Sequence, residues 1–302
     1  MPALLSTLFS RRASQAPDCR GLDPHAINAD LHCHSNVSDG TLAPAELAAR
    51  AHAKGVQLWA LTDHDELAGQ REAADAAKAL GLAYITGVEI SVTWGDETLH
   101  IVGLNIDPEH PTLTGGLAKT RAGRTRRAHE MADQLAAVGI PDAFEGALNY
   151  AGNPDLIGRT HFARYIVERN VCDDVHEVFG KYLVPGKPGY VPVQWATLAE
   201  AIDWIKAAGG TPLIAHPGRY KLSEQQLRAL FAEFKALGGV AIEVVTGSHT
   251  RDQYKRFAAY AKEFDFLASR GSDFHGPKES RVELGSLPPL PDSVVPVWRA
   301  WV

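Results

Sequence analysis

The sequence predicts an α/β fold, with repeated strand–helix units around a parallel sheet interrupted once by a helical insertion. Two patterns carry this expectation. From residue 29 short apolar runs alternate with Ala-rich amphipathic stretches, and between about residues 107 and 195 the alternation stops before resuming. The length of 302 residues suits one α/β barrel of roughly 250 residues carrying an insertion, or two smaller domains. With 45 % hydrophobic and 22 % charged residues the chain can bury a large core and is no disordered or collagenous polymer.

The elements follow in order. Residues 1–28, with Pro2, Pro17 and Pro24, read as a loose extension. Their apolar stretch lacks a positively charged start, and Arg11 and Arg12 stand where a small-residue cleavage site would be needed, so no signal peptide is expected. Ala29-Asp30-Leu31 opens the first strand. In the next helix Pro44 falls in the first turn, where its missing N–H does no harm, and Gly55 marks the end. Val56 to Thr62 predicts a second strand, Leu67 to Leu80 a helix stopped by Gly81, Leu82 to Ser91 a third strand and Glu97 to Ile106 a fourth.

Residues 107–195 carry helical patterns over Ala118 to Val138, His161 to Arg169 and Val175 to Leu183, and are expected to form an inserted helical cap. The units resume with helix Leu198 to Ala208 and strand Thr211 to Ala215, then Glu224 to Leu237 with Val240 to Val245, then Gln253 to Glu263 with Phe266 to Ser269. The barrel is therefore assigned to residues 29–106 and 196–302.

Several function classes fall away. A formal charge of −6 argues against a general electrostatic grip on DNA or an anionic membrane, so any basic site must be local. No run approaches the ~18 apolar residues a spanning helix needs. Cys19, Cys33 and Cys172 form neither a C-x-x-C pair nor an even framework, which points to a reducing cytoplasm. The sequence has no G-x-x-x-x-G-K-[ST] loop and no G-x-S-x-G elbow, and His129-Glu130 and His176-Glu177 lack the second histidine of H-E-x-x-H.

Barrel enzymes carry their reactive residues where strands end, and here those positions hold histidines and acids. The first strand closes with Leu31-His32-Cys33-His34, whose period of two turns both histidines to one face, and Asp39 follows in the loop. The second closes with Thr62-Asp63-His64-Asp65 and the third with Gly87-Val88-Glu89; His100 lies in the strand after it. Ala215-His216-Pro217-Gly218-Arg219 and Ser272-Asp273-Phe274-His275 end two later strands. Burying so many unpaired polar groups would cost several kcal/mol each, whereas divalent ions accept imidazole and carboxylate ligands. Nine ligands exceed one tetrahedral site and match two or three ions sharing a carboxylate, for which Glu89 is the natural candidate. Two ions roughly 4 Å apart can acidify a bridging water and hold the attacking and leaving oxygens of a phosphoester in line.

Asp30-Leu31-His32-Cys33-His34-Ser35, Thr62-Asp63-His64-Asp65, Gly87-Val88-Glu89, His216-Pro217-Gly218-Arg219 and Ser272-Asp273-Phe274-His275 together resemble the motifs of the PHP (polymerase and histidinol phosphatase) family, over about residues 29 to 287. Within the family the chain is most similar to the 3′,5′-nucleotide bisphosphate phosphatases that also act as 5′→3′ exoribonucleases. That narrower match rests on Gly158-Arg159-Thr160-His161-Phe162-Ala163-Arg164, on the stretch from Lys181 to Tyr190, and on Gly247-Ser248-His249. The resemblance implies a distorted seven-stranded (β/α)7 TIM-like barrel with three divalent ions, manganese favoured over zinc or iron. It also implies a grouping: His32, His34, Glu89 and Asp273 on the first ion, Glu89, His100 and His216 on the second, and Asp39, His64 and His275 on the third.

The activity it implies is removal of the 3′-phosphate from 3′,5′-bisphosphonucleosides such as pAp, by attack of a metal-bridging hydroxide. Alternatives are 5′→3′ exonuclease action on short 5′-phosphorylated RNA, a histidinol-phosphatase-like activity, and a non-catalytic metal-binding module, which the intact ligand set disfavours. A phosphorylated substrate needs cations. Arg159, His161 and Arg219 are the expected contacts, with Arg124 from the basic run Lys119, Arg121, Arg124, Arg126 and Arg127, whose helix is expected to bury Met131, Leu135 and Val138. Asp65 is expected to orient a ligand or protonate the leaving oxygen, and His249 to contact substrate or serve as acid. Trp94, Tyr190 and Trp195 are candidates for stacking on a base. A nucleotide or short RNA is the expected partner, with no stable DNA binding and no membrane, on a monomer or small homo-oligomer.

Overall fold

The computed structural model describes residues 23–302 apart from residue 193. Most of the expected N-terminal extension, and Cys19, lie outside the described residues. The chain enters the sheet at β1 (Ala29–Asp30), passes through α1 (Pro44–Ala53) to β2 (Leu58–Leu61), and through α2 (Gln70–Leu80) to β3 (Ala83–Trp94). These three strands pair in parallel. α1 begins with Pro44 in its first turn and the Glu46 carboxylate accepting the Ala43 N–H at 2.9 Å, so one orphan donor of the helix start is satisfied. α2 starts three residues later than its pattern suggests, because residues 67–69 form a turn that brings the buried Gln70 amide to the carbonyls of Leu61 and Gly87.

β3 and β4 (Glu97–Leu104) are joined by only Gly95 and Asp96, a connection that permits an antiparallel hairpin and no parallel crossover. The expected all-parallel sheet is therefore mixed. After β4 come α3 (Pro111–Ala137), α4 (Ala143–Leu148), α5 (Arg159–Glu168) and α6 (Val175–Val178), the last continuing as a wider π-helical turn to Leu183. β5 (Ala196–Thr197) pairs with the end of β3. Then α7 (Leu198–Ala207), β6 (Thr211–Ile214), α8 (Glu224–Ala236), β7 (Ala241–Thr246), α9 (Arg251–Glu263) and β8 (Leu267–Gly271) complete the order β1-β2-β3-β4-β6-β7-β8.

Beyond β1 the backbone stays tied to β8. Leu31 N–H donates to the Arg270 carbonyl at 3.0 Å, Asp273 N–H to His32 at 2.8 Å and His34 N–H to Phe274 at 2.9 Å, which brings the two edges together at one end. The result is a nearly closed mixed barrel of seven strands ringed by helices. Ile90, Val92, Ile101, Leu213 and Ile242 of the strands and Phe231, Phe234 and Phe257 of the helices belong to one buried apolar cluster.

The helices between β4 and β5 form a second apolar cluster around Met131, Leu135, Phe162, Ile166 and Leu183, all buried. α3 runs seven residues further back than its pattern suggests. A Cβ on Gly116 would stand 2.3 Å from the Trp204 ring of α7, so this glycine is what lets the two helices touch. Val138, expected on the buried side of α3, closes the helix and is 46 % exposed. No helix among the described residues is long and apolar enough to cross a membrane.

Candidate metal centre

The nine histidines and acids picked out by pattern meet at one end of the barrel. Ladder bonds keep residues 31–34 extended although β1 is only two residues long, so His32 and His34 share a face, with ring centroids 5.2 Å apart. His64 and Glu89 bridge the ends of β2 and β3, and His216, Asp273 and His275 follow β6 and β8. His100 stands near the start of its strand. Because β4 runs antiparallel, paired with Ser91 in register, its beginning lies at the same end of the barrel as the ends of the parallel strands.

Glu89 is the hub. Its Oε1 lies 3.0 Å from His100 Nδ1 and 3.1 Å from His216 Nε2, and its Oε2 lies 3.0 Å from His64 Nδ1 and 3.2 Å from Nε2 of both His32 and His34. Asp273 Oδ1 is 3.3 Å from His34 Nε2 and 3.5 Å from His32 Nε2. Asp39 Oδ1 faces His275 Nε2 at 3.4 Å and His34 and His64 at 3.8 Å. Four sets bring donor atoms together: His34, Asp39, His64 and His275; His32, His34 and Asp273; His32, Glu89 and His216; and His64, Glu89 and His100. All four differ from the grouping the resemblance implies: His34 joins the Asp39 set, and the set of His32, His34 and Asp273 forms without Glu89. His216 converges with His32 and His100 with His64, each across Glu89.

The donor set fits ions better than it fits itself. His34 Nδ1, Asp39 Oδ1, His64 Nδ1, Glu89 Oε2, His100 Nδ1 and His216 Nδ1 are buried without a hydrogen-bond partner, although several have a carboxylate or imidazole within about 3 Å. These contacts are short and misdirected. An unsatisfied buried polar atom costs about 1–3 kcal/mol, and cations shared among these lone pairs would satisfy those that face the centre. The ion-free charges are also mismatched. Burial opposes charge on His34, but the carboxylates of Asp273 and Glu89 outweigh it and push its pKa up to about 10, while burial and neighbouring Arg219 push His216 down to about 3.

A second layer positions the first. The Glu243 carboxylate is buried, accepts from His32 Nδ1 at 2.8 Å and from the His216 backbone N–H at 2.6 Å. It thereby fixes the His32 tautomer with Nε2 turned to the centre, and holds His216 at φ +27°, a strained value for a residue with a side chain. Pattern reading missed Glu243. Its signal was a lone acid inside the apolar strand Ala241-Ile242-Glu243-Val244-Val245. Asp63 likewise accepts from Ser35 and Ser38 and pins the loop before Asp39.

Three expected substrate or acid residues have other work. The Asp65 carboxylate accepts from Ser91 N–H at 2.8 Å, from Ser91 Oγ at 2.9 Å and from Arg124, so it anchors an arginine. His161 is fully buried, with Nδ1 accepting the Gly158 N–H at 3.1 Å and Nε2 donating to the Ser38 carbonyl at 3.1 Å. In His249, Nε2 accepts the Gly218 N–H at 2.8 Å and Nδ1 donates to the Val244 carbonyl at 3.2 Å, so the ring braces the loop that carries His216 and Arg219. Both ring nitrogens of each histidine are engaged by backbone.

Burial lowers the His249 pKa to about 4. Its neutral form is thus favoured by folding, so the stability it lends is complete above the unfolded value near 6.5 and is lost as pH falls from there towards 4. Over that window the loss should reach about 3 kcal/mol. Urea unfolding at pH 7 and pH 4 would show a smaller difference for His249→Gln than for the unaltered chain; equal differences would discount the effect.

The basic run on α3 is also sorted by the structure. Arg124 and Arg127 lie on the buried face with Met131 and Leu135, stacked over the Trp195 ring at 4.7 and 5.4 Å. Lys119 pairs with Glu200, Arg121 binds the Asp65 carbonyl and approaches Glu66, and Arg126 lies near Glu130, so the run is no continuous cationic track. Arg124, Arg127, Arg159, Arg219 and Trp195 line one cleft of about 140 Å³ together with Asp39, His64, Glu89, His100, Asp273 and His275. Trp94 instead donates to Glu233 on α8, and Tyr190 is not in the lining.

The PHP domain family model matches residues 30–268. A 3′,5′-nucleoside bisphosphate phosphatase of Chromobacterium violaceum is 48 % identical over 272 residues, 90 % of this chain and 95 % of that protein. A 5′-3′ exoribonuclease of Haemophilus influenzae is 46 % identical over 270 residues, 89 % of this chain and 97 % of that protein. Among solved structures, one from Chromobacterium violaceum, described as an amidohydrolase with sulfate and no metal bound, aligns with a TM-score of 0.88 at 48 % identity, covering 91 % of this chain and 96 % of its own. One from Bifidobacterium adolescentis, described as a metal-dependent phosphoesterase, aligns with a TM-score of 0.79 at 31 % identity, covering 90 % and 95 %.

Proposed function

The chain belongs to the PHP domain family and is a hydrolase of phosphoester bonds, and from that premise we propose that it removes the 3′-phosphate of 3′,5′-bisphosphonucleosides such as pAp. The proposed ligands are His32, His34, Asp39, His64, Glu89, His100, His216, Asp273 and His275, holding three divalent ions with manganese preferred. Bound there, such ions would acidify water and polarise phosphoryl oxygens. We read residues 107–195 as a cap over the barrel mouth, since its helices α3 and α5 bring Arg124, Arg127 and Arg159 to the cleft.

One observation carries the substrate reading: four arginines face the same cleft as six of the nine donors. Arg219 donates to Asp273 Oδ2 at 2.8 Å, which places its guanidinium at the edge of the ligand set. Arg124 is held by Asp65. Arg127 and Arg159 bond to the carbonyls of Val191 and Leu183 and have no carboxylate partner among the described residues. Burial, with Arg159 and Arg124 close by, lowers the Arg127 pKa to about 9. Crowded, poorly compensated cations favour a multiply charged anion, and a nucleotide with phosphates at both ends supplies one to the ions and one to the arginines. The residues of the chain thus bind and orient the ester, exclude bulk water through the cap, and hold the ligands in place.

Arg159→Ala should raise KM for pAp roughly 10- to 100-fold, the worth of one charge-assisted bond, and much less for a small aryl phosphate that reaches only the ligand end. Steady-state kinetics on both substrates checks this; equal effects would take Arg159 out of the substrate site.

A second reading, nucleotide-by-nucleotide hydrolysis of 5′-phosphorylated RNA at the same centre, is favoured by the 46 % identity to the Haemophilus influenzae exoribonuclease. The deciding experiment follows phosphate release from pAp and mononucleotide release from a short 5′-phosphorylated RNA by the Mn²⁺-loaded protein. Fast release from pAp with slow RNA decay supports the phosphatase reading, the reverse supports the exonuclease, and silence on both sinks each.

A further inference from the structure

α5 contributes more than a substrate arginine. Three of its side chains in succession reach the loop that carries Asp39. Thr160 Oγ1 donates to Asp39 Oδ2 at 3.0 Å, His161 Nε2 to the Ser38 carbonyl at 3.1 Å, and an Arg164 Nη to the Asp39 carbonyl at 2.6 Å. The same Arg164 makes a two-pronged bond to Glu279, Nε at 2.8 Å and Nη at 2.7 Å. Glu279 lies four residues after His275, in the loop that leaves the centre. One helix from outside the sheet therefore grips both loops that supply Asp39 and His275 to the set His34, Asp39, His64 and His275.

From this we infer that Thr160 and Arg164 are positioning residues for one ion of the centre: the set built on Asp39 takes its shape only when α5 is seated, whereas the sets built on Glu89 and Asp273 are held by the barrel. The inference rests on the metal-centre reading. The chemistry is specific. A carboxylate that ligates through one oxygen needs its other oxygen anchored, or the group rotates about its Cβ–Cγ bond and loses its aim. The Thr160 hydroxyl anchors Oδ2 and leaves Oδ1, buried and without a hydrogen-bond partner, facing His34, His64 and His275. On the inner sets that task falls to barrel residues, Glu243 for His32 and Arg219 for Asp273. The segment Gly158 to Arg164 thus serves twice: Arg159 faces the cleft, and Thr160, which also lines it, joins His161 and Arg164 in holding the Asp39 loop.

The test counts ions. Full-length protein, Thr160→Val, Thr160→Ser and Arg164→Lys are stripped with chelator and reloaded with Mn²⁺; bound metal per chain is measured by mass spectrometry and the binding isotherm by calorimetry, with folding checked by circular dichroism. Thr160→Val keeps shape and loses the donor, so one ion per chain should bind roughly 10- to 100-fold more weakly while the others are unchanged, and Thr160→Ser should restore it. Arg164→Lys keeps the charge but not the two-pronged grip, and should weaken the same ion. Identical isotherms for Thr160→Val and the unaltered chain would overturn the inference, and so would an equal weakening of every ion in a folded variant. An unaltered chain that binds no Mn²⁺ would sink the metal-centre reading and this inference with it; one that binds Mn²⁺ but leaves pAp untouched would sink only the substrate.

Discussion

Glu89→Gln should lower phosphate release from pAp by at least about a thousandfold, roughly 4 kcal/mol of transition-state stabilisation, without unfolding the chain. The size follows from position. Both carboxylate oxygens of Glu89 are shared among five imidazoles, and two of the four donor sets pass through it. Glutamine keeps the volume but removes the negative charge and turns an N–H₂ group into the centre, where it competes with the cations for the same lone pairs. The fold should survive because the buried apolar cluster that includes Ile90, Val92 and Ile101 is not touched by the change. Activity assays with saturating Mn²⁺, and metal counted per chain, check the prediction. A variant with more than a tenth of normal turnover would mean that Glu89 is not shared between ions.

Glu243→Ala is the second large effect. Its carboxylate touches no substrate in the cleft, yet it orients His32 and holds the His216 backbone at its strained φ. Removing it frees the His32 ring to flip its tautomer and leaves a buried N–H unsatisfied. Loss of such a partner typically costs 10- to 100-fold in metal affinity, and two ligands are affected here, so the upper end, about 100-fold, is expected. Excess Mn²⁺ should then recover much of the turnover. Competition with a fluorescent chelator measures the affinity, and an isotherm like that of the unaltered chain would show that the histidines hold their places unaided.

How much of this was legible beforehand differs by residue. His32 and His34 were readable because alternation of side chains along an extended chain is local, and it holds even where the formal strand stops at Asp30. His216 and Asp273 were readable because parallel strands end on one side of a sheet. His100 was noticed without a reason for its position, since antiparallel pairing of β4 depends on a two-residue turn at Gly95-Asp96 that the pattern did not resolve. His161, His249 and Asp65 share one feature that spacing did not reveal. Sequence spacing places a residue near a site but says nothing of which atoms its polar groups meet, and all three are consumed by neighbours up to 123 positions away. Arg124 was expected to meet the substrate, but the pattern did not divide the basic run between faces; Arg124 and Arg127 continue the buried stripe of α3 into the cleft.

Composition, periodicity and motif spacing pointed to strand–helix units interrupted by a helical stretch, to nine donors of metal-binding type and to the phosphoester chemistry they suit, because each of these follows from short-range geometry and side-chain chemistry. The sharing of Glu89 among five histidines, the bracing by Glu243, and the grip of α5 on the Asp39 loop emerge only in three dimensions, because they join residues that strand pairing and helix docking bring together and that no local pattern connects.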